Sequence, residues 1–194
     1  MTTLTNAIFL DRDGVLIKDN GLITKEEEIE LLQDVGNALV MFALMQYKLI
    51  VVSNQPVVAR GLLSEEGVRS LHKLIENKIE RETSVTLDDF FFCPHHPEAT
   101  VEKYRTRCTC RKPEPGMLLE AAKKHFIDLT KSYMIGDRIT DCIAGHSAGC
   151  TTVQVLTGMH TEPPGRTIPD IDCSYKPDYT CTTLFEAAQW IGNR

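Results

Sequence analysis

The sequence contains no long apolar run. No stretch approaches the roughly 20 consecutive apolar residues that a membrane-spanning helix needs. Residues 1–6 lack the basic start and the apolar core of a secretion signal. We therefore expect a cytoplasmic protein that has no membrane partner.

The sequence also has no excess of positive charge. Its 21 Lys and Arg residues are outnumbered by 27 Asp and Glu residues, which gives a formal net charge of -6. This balance disfavours a basic nucleic-acid-binding surface, so we expect no nucleic-acid partner. One segment opposes the trend, because five basic residues lie within 103–112. This cluster is either a solvated loop or an anion site, and its overlap with Arg111-Lys112 favours a phosphate.

Neither internal repeats nor low-complexity tracts are apparent, and the seven cysteines are odd in number. Several of them lie in patterns that suit reduced thiols better than a disulfide framework. A chain of 194 residues is long enough for one hydrophobic core and short for two. We expect a single domain over residues 1–194, with insertions rather than a second domain.

Two aspartates one residue apart, Asp11 and Asp13, directly follow the apolar run 7–10. At a separation of about 4 Å and an effective dielectric of ~20, two unit charges repel by about 4 kcal/mol. Such a pair needs a shared proton or a hard cation held by oxygen ligands. An acidic turn closed by Gly14 is the alternative, because the D-x-D pattern is short.

Three further segments carry polar residues suited to phosphate chemistry. Ser53-Asn54 follows the apolar run 49–52, Asp137 closely follows the run 133–135, and Lys112 precedes a predicted helix. In an open parallel α/β sheet, ligands bind beyond the carboxyl ends of the strands, where residues distant in sequence meet. We therefore predict one site built from four segments.

Short apolar runs alternate with helical periodicity, which predicts β-α-β units and a mostly parallel sheet. Strands are predicted at 7–11, 48–53, 90–92, 132–136, 151–156 and near Tyr179, and helices at 35–46, 64–81, 117–126, after Asp137 and at 183–191. The long connection 17–30 is predicted to form a flap over the Asp11 site. Residues 157–177 are predicted to be a loop, and His72 is expected on the surface of its helix.

The loop 93–110 carries four candidate metal ligands. They form a C-x-H pair and, after an interval of twelve residues, a C-x-C pair: Cys93, His95, Cys108 and Cys110. Three thiolates and one imidazole match a closed tetrahedral structural zinc site, although both pairs are tighter than the commoner C-x₂-C. The alternatives are His96 as the nitrogen ligand and a chance group of buried thiols. Zinc would also fix the position of the basic pair that follows this loop, Arg111-Lys112, so that the pair lies over the phosphate site.

On these motifs the sequence resembles, over nearly its whole length, the haloacid dehalogenase superfamily of phosphatases. The four motifs of that superfamily correspond to Asp11-x-Asp13, Ser53, Lys112 and Asp137. More narrowly, D-R-D-G-V, S-N-Q, A-R-G, C-P-H-H-P, C-x-C-R-K-P-x-P-G-M and G-D-R resemble the D,D-heptose 1,7-bisphosphate phosphatases. The resemblance implies a three-layer, Rossmann-like α/β fold with a minimal cap and a zinc-binding loop.

The resemblance also implies a division of roles. Asp11 would be the nucleophile that forms an aspartyl-phosphate, and Asp13 would protonate the leaving oxygen and later activate water. Mg²⁺ would be held by Asp11, by the backbone carbonyl of Asp13 and by Asp137, while Zn²⁺ would be structural. Ser53 would donate a hydrogen bond to the phosphoryl group, and Lys112 would neutralise its charge.

Further residues are predicted to bind the substrate. They comprise Asp19, Asn20, Gly21 and Leu22 in the flap, Asn54 and Gln55 after the second strand, and the arginines Arg60, Arg111 and Arg138. A surface position is the alternative for Arg60 and Arg138. The chain departs from the family pattern at two places beside this pocket. Pro56-Val57 stands where S-G is usual, and Leu22 stands where an aromatic residue is usual.

The implied reaction removes the position-7 phosphate of a heptose 1,7-bisphosphate, in the supply of activated heptose for surface polysaccharide. Histidinol phosphate, whose phosphatases have a shorter zinc loop, or another small phosphomonoester is the alternative substrate. A phospho-receiver domain is disfavoured, because the third strand runs into Phe92-Cys93-Pro94 and not into an aspartate. A zinc-stabilised binding module is the non-enzymatic alternative. The short flap suggests an open site and a monomer.

Overall fold

The computed structural model describes residues 4–161 and 175–194. Its strands are β1 (Ala7–Leu10), β2 (Lys48–Asn54), β3 (Asp89–Cys93), β4 (Tyr133–Gly136), β5 (Thr151–Val155) and β6 (Tyr179–Cys181). They form one sheet in the order β3-β2-β1-β4-β5-β6, and every neighbouring pair is parallel. The predicted strands are confirmed. Residues 162–174 of the predicted loop 157–177 lie outside the described residues.

Six α-helices connect or flank these strands. They are α1 (Val35–Leu44), α2 (Pro56–Ala59), α3 (Glu65–Thr83), α4 (Gly116–His125), α5 (Ile139–Ala148) and α6 (Leu184–Gly192). Short 3₁₀ helices cover Glu26–Glu28, Glu102–Tyr104 and Leu129–Lys131. The start of α3 follows from local chemistry, because the Ser64 hydroxyl accepts a hydrogen bond from the Gly67 N–H at 3.0 Å. No helix in these described ranges is long and apolar enough to cross a membrane.

The sheet is covered on both faces. Along β1, Ile8 and Leu10 pack into one core, while Ala7 and Phe9 pack into the other, as the two-residue repeat of a strand requires. Side chains of α1, α3 and α6 complete the first core, and those of α4 and α5 complete the second. Because the central strands are buried on both faces, β1 and residues 49–52 of β2 are continuous apolar runs. The predicted three-layer α/β fold is confirmed.

The strand order places the site. β1 lies between β2 and β4, so the chain reverses its direction of progress across the sheet at β1. Asp11 directly follows β1, Ser53 and Asn54 end β2, and Asp137 directly follows β4. Ligands of open α/β sheets bind at the carboxyl ends of the strands beside such a reversal. The predicted meeting of distant segments is therefore a consequence of topology.

The expectation that His72 lies on the surface of its helix is wrong. α3 packs against the sheet through residues that include Ile75, and its Val68 belongs to a third apolar cluster, which also contains Tyr104. His72 faces between these contacts, is 3% exposed, and stacks on Phe90 with ring centroids 4.8 Å apart. The spacing of apolar residues along α3 predicts the side of the helix that faces the sheet. It does not predict that a second side of the helix is also buried.

Candidate active site

Asp11 and Asp13 lie in a tight turn directly after β1. The Asp11 N–H donates to the Ile135 carbonyl at 3.0 Å, which continues the pairing with β4 beyond the strand. Gly14 has φ +77°, and a Cβ there would lie 2.7 Å from Cγ of Asp137. A side chain at this position is therefore excluded on two grounds, backbone conformation and space. The missing side chain lets the turn approach Asp137.

Lys112 lies at the centre of the acidic group. Its Nζ is 2.8 Å from Asp11 Oδ1 and 2.7 Å from Asp141 Oδ1, and it donates to the Val52 carbonyl at 2.8 Å. Its side chain is 2% exposed. Burial alone would lower the pKa of Lys112, but the Asp11 and Asp141 carboxylates outweigh burial and raise that pKa. The ammonium group thus stays charged and offsets the repulsion between the carboxylates.

Asp141 is a site residue that the sequence reasoning missed. It lies in the first turn of α5, is 1% exposed, and accepts a hydrogen bond at Oδ2 from the Arg138 N–H at 3.0 Å. Burial first, and then the charge of Asp11, raise the pKa of Asp141 to about 6 although Lys112 opposes them. The signal that points to it is its spacing of four residues from Asp137 at the start of a predicted helix.

Asp11, Asp137 and Asp141 can together hold a metal ion, since one carboxylate oxygen from each lies within 4.8 Å of the others. Oδ2 of Asp137 accepts a hydrogen bond from the Met159 N–H at 2.6 Å, whereas its buried Oδ1 has no hydrogen-bond partner in the described part of the chain. Burial and the charges of Asp141 and Asp11 raise the pKa of Asp137 to about 8. An unsatisfied buried carboxylate oxygen beside two further carboxylates fits a hard divalent cation such as Mg²⁺.

The Asp13 carboxylate faces the cavity and is 18% exposed. It pairs with the Arg12 guanidinium at 2.8 Å and accepts a hydrogen bond from Gln55 Nε2 at 3.1 Å. Burial raises the pKa of Asp13, and the Arg12 guanidinium partly offsets that rise. A carboxyl group with a raised pKa at the mouth of a site suits an exchange of protons with a bound molecule.

The end of β2 supplies three consecutive polar side chains. Gln55 Nε2 donates to the Ser53 hydroxyl at 2.9 Å as well as to Asp13. The Asn54 side chain makes two hydrogen bonds of 3.0 Å with the backbone of Lys112, one as donor and one as acceptor. Asn54 therefore positions the loop that carries Lys112, in addition to lining the cavity.

A cavity of about 770 Å³ opens over these groups. Twelve of the thirteen residues predicted as catalytic or substrate-binding line it: Asp11, Asp13, Asp19, Gly21, Leu22, Ser53, Asn54, Gln55, Arg60, Arg111, Lys112 and Arg138. Asn20 does not, because its amide donates to the Glu28 carbonyl at 3.3 Å away from the cavity. The segment predicted as a flap thus lies along one side of the cavity, and Asp19 reaches Arg138 at 3.4 Å.

The positive charge of the cavity is unevenly compensated. Lys112, Arg12 and Arg138 all pair with carboxylates. Arg60 and Arg111 also line the cavity, and neither has an ion-pair partner among the described residues, although the exposed Glu98 lies near His96 as they do. These two uncompensated guanidinium groups favour a second anionic group on a molecule that binds in the cavity.

The predicted zinc ligands come together as a cluster of Cys93, His95, Cys108 and Cys110, whose ligand atoms lie within 4.8 Å of one another. The three sulfur-to-sulfur distances are 3.0, 3.3 and 3.5 Å, and His95 Nδ1 is 3.5 Å from Cys110 Sγ. A tetrahedral zinc ion with Zn–S bonds of ~2.3 Å needs sulfur atoms roughly 3.8 Å apart, so these four donors fit it with a small expansion. His96 is outside the cluster, since its Nδ1 accepts a hydrogen bond from the Glu98 N–H at 3.1 Å.

Comparisons with known proteins agree with this geometry. A family model described as HAD-hydrolase-like matches residues 109–187. The D-glycero-beta-D-manno-heptose-1,7-bisphosphate 7-phosphatase of Photorhabdus laumondii is 40% identical over 159 residues, which are 81% of this chain and 84% of that protein. The protein of the same name from Escherichia coli K12 is 38% identical over 165 residues, or 84% and 86% of the two chains.

Among solved structures, the D,D-heptose 1,7-bisphosphate phosphatase of B. bronchiseptica, complexed with magnesium and phosphate, matches with a TM-score of 0.80. It is 26% identical and covers 97% of this chain and 99% of its own. The parallel sheet, the buried carboxylates at its carboxyl end and these similarities define a phosphatase of the haloacid dehalogenase class. The chain belongs to the D-glycero-beta-D-manno-heptose-1,7-bisphosphate 7-phosphatase family within that class.

Proposed function

We propose that this protein removes the position-7 phosphate of D-glycero-D-manno-heptose 1,7-bisphosphate and requires Mg²⁺. Relatives at about 40% identity bear the name of that activity. The observation that carries the proposal is the distribution of charge in the cavity. The cavity is lined by the Asp11 and Asp13 carboxylates beside Lys112, and also by Arg60 and Arg111, which have no ion-pair partners in the described residues. A substrate with two phosphates, one that reacts at Asp11 and one that pairs with these two arginines, complements both groups of residues.

In the first chemical step, an Asp11 oxygen forms a bond to phosphorus while the bond from phosphorus to the sugar oxygen breaks. The Asp13 carboxyl gives its proton to that departing oxygen. In the second step, the Asp13 carboxylate takes a proton from water as the water oxygen bonds to phosphorus and the Asp11–phosphorus bond breaks. The raised pKa of Asp13, which burial causes, supports its role as proton donor.

Lys112 and Ser53 stabilise the phosphoryl group during both steps. Lys112 Nζ lies 2.8 Å from the Asp11 oxygen Oδ1, so its charge is beside the position at which negative charge moves between oxygens. The Ser53 hydroxyl already accepts a hydrogen bond from Gln55, which leaves its proton for the phosphoryl oxygen.

Asp11, Asp137 and the backbone carbonyl of Asp13 would hold Mg²⁺; the unsatisfied Oδ1 of Asp137 and the closeness of an Asp11 oxygen support the two carboxylate ligands. Asp141 would orient the site through Lys112. When bound, Mg²⁺ supplies Lewis-acid stabilisation of charge on the phosphoryl oxygens.

Zn²⁺ held by the Cys93, His95, Cys108 and Cys110 cluster would have a structural role, because four protein ligands leave no position for substrate or water. Arg111 supports a link from this cluster to the cavity. It follows Cys110 in sequence, and its Nη1 donates to the His95 carbonyl at 3.0 Å. We propose that the metal-bound loop fixes Arg111 beside the phosphate that does not react. We also propose that the protein is a cytoplasmic monomer.

Phosphate release from both anomers of the heptose bisphosphate, compared with histidinol phosphate, tests the substrate. We expect a preference of at least tenfold in kcat/KM for a bisphosphate anomer, and a preference for histidinol phosphate would overturn the assignment. Arg111→Met should raise KM for the bisphosphate but not for heptose 7-phosphate. Arg69→Met, which removes a charge from α3 outside the cavity, is the matched control.

A further inference from the structure

The largest of the fully buried side chains is a charged one. Arg12, the residue between the two aspartates, is 1% exposed. Taking a guanidinium out of water costs several kcal/mol unless it is paired. A buried guanidinium therefore needs an anionic partner that accepts its hydrogen bonds.

Arg12 finds that partner in the next residue, Asp13. Its Nε lies 3.1 and 3.2 Å from the two Asp13 oxygens, and its Nη2 lies 2.8 and 2.9 Å from them. Each of these two nitrogens is thus close to both carboxylate oxygens, so a single planar group restricts the rotation of the Asp13 carboxylate. Gln55 adds a third donor at Oδ2, 3.1 Å away, and links Asp13 to the Ser53 hydroxyl.

The Arg12 side chain has few polar contacts in the described part of the chain. Asp13 is its one ion-pair partner among the described residues, and its remaining nitrogen, Nη1, is buried there without an acceptor. Nε2 of the buried His72 is likewise without a hydrogen-bond partner in the described ranges. Burial and the nearby charges of Arg12 and Arg69 keep this imidazole neutral, with a pKa of about 3. Among the described residues, the guanidinium thus has a single anionic contact.

We propose that Arg12 is the positioning residue for Asp13. Its guanidinium holds the Asp13 carboxyl in the orientation from which the proton passes to the leaving oxygen. The inference rests on the proposed phosphatase chemistry but not on the identity of the sugar. The proton moves from Asp13 to the ester oxygen as the phosphorus–oxygen bond breaks, and Arg12 itself neither gains nor loses one.

Lysine is the informative replacement at this position. Arg12→Lys keeps the positive charge but cannot hold both oxygens with one planar group. Misplacement of a catalytic group by about 1 Å can cost ~10²-fold in rate. We therefore expect Arg12→Lys to lower kcat on an alkyl phosphate by 10- to 100-fold, as an order-of-magnitude estimate, with KM changed by less than about threefold.

The leaving group provides the first discriminating readout. An aryl phosphate with an acidic phenol needs little proton transfer, so Arg12→Lys should slow formation of the aspartyl-phosphate far less on it than on an alkyl phosphate. Equal losses on the two substrates would mean that Arg12 shapes the site generally, and would overturn the proposal.

A double-mutant cycle provides the second. In an Asp13→Asn background, replacing Arg12 should add little further loss of turnover on the alkyl phosphate, because the group that it positions is already gone. Full additivity of the two losses would overturn the proposal. Thermal midpoints of all variants, with the exposed Arg69→Lys as the matched control, separate misfolding from loss of positioning. The cycle uses any phosphomonoester that the protein hydrolyses, so a wrong sugar assignment leaves its result intact.

Discussion

Replacing Lys112 by methionine would remove the cation at the centre of the acidic group while retaining the length of the side chain. In the native protein, Lys112 Nζ contacts Asp11 at 2.8 Å and Asp141 at 2.7 Å. Each pair has a Coulomb attraction of roughly 6 kcal/mol at an effective dielectric of ~20, and desolvation of the charges offsets much of it. Removing one member of a buried pair generally costs about 3–5 kcal/mol, because the remaining charge stays buried.

We expect Lys112→Met to lower the free energy of unfolding by about 3–5 kcal/mol in metal-free buffer. Saturating Mg²⁺ should restore part of this loss, since a cation then sits among the same carboxylates. Turnover should fall by at least ~100-fold even with Mg²⁺, because the charge beside the phosphoryl group is missing. Urea titration followed by fluorescence of the single tryptophan, Trp190, measures the first quantity.

Lys124→Met is the matched control for this prediction. Lys124 Nζ is also 2.7 Å from a carboxylate oxygen, that of Asp89, but the lysine side chain is 60% exposed. An exposed pair contributes about 0–1 kcal/mol. If Lys112→Met destabilised the protein no more than Lys124→Met does, the buried charge balance described for the site would be refuted.

Three further predictions concern other parts of the molecule. Cys110→Ser should abolish stoichiometric zinc and lower the thermal midpoint, since it removes one of four ligands, and metal analysis that finds zinc retained would contradict the cluster. Gly158→Ala should raise the Mg²⁺ concentration for half-maximal activity by about tenfold, because the added methyl group overlaps the Asp137 carboxylate. An unchanged Mg²⁺ titration would contradict this role of Gly158. His72→Leu should flatten the acid side of the stability profile. The folded pKa of about 3 lies below the unfolded value of ~6.5, so the unfolded chain binds the extra proton and the native protein loses about 2 kcal/mol from this group between pH 7 and pH 5. Denaturant titrations at both pH values test this, and the exposed His146→Gln should leave the loss in place.

Much of the fold was predictable because one physical rule dominates it. Strands buried on both faces read as continuous apolar runs, and polar residues that end such runs lie at one edge of a parallel sheet. Asp11, Ser53 and Asp137 could be placed together on that basis alone. The cluster of candidate metal ligands was predictable for a different reason, since Cys93 and Cys108 belong to C-x-H and C-x-C pairs, whose thiolate and imidazole groups are typical zinc ligands.

The residues that escaped prediction are polar side chains buried by distant parts of the chain. Asp141 reads as an ordinary acidic residue in the first turn of a helix, and its pairing with Lys112 depends on a loop 29 positions away in sequence. His72 is buried because α3 is covered on two sides, which helical periodicity does not encode. Arg12 reads as a spacer between two aspartates, and only the tertiary structure reveals its burial.

The central claim is that Asp11 carries the phosphoryl group from position 7 of the heptose bisphosphate to water. Rapid acid quenching of a single turnover, followed by mass spectrometry of the digested protein and of the sugar product, tests it most directly. The account predicts a phosphorylated peptide that contains Asp11, with heptose 1-phosphate as the product, and neither signal from Asp11→Asn. Phosphorylation at another residue, or heptose 7-phosphate as the product, would contradict it.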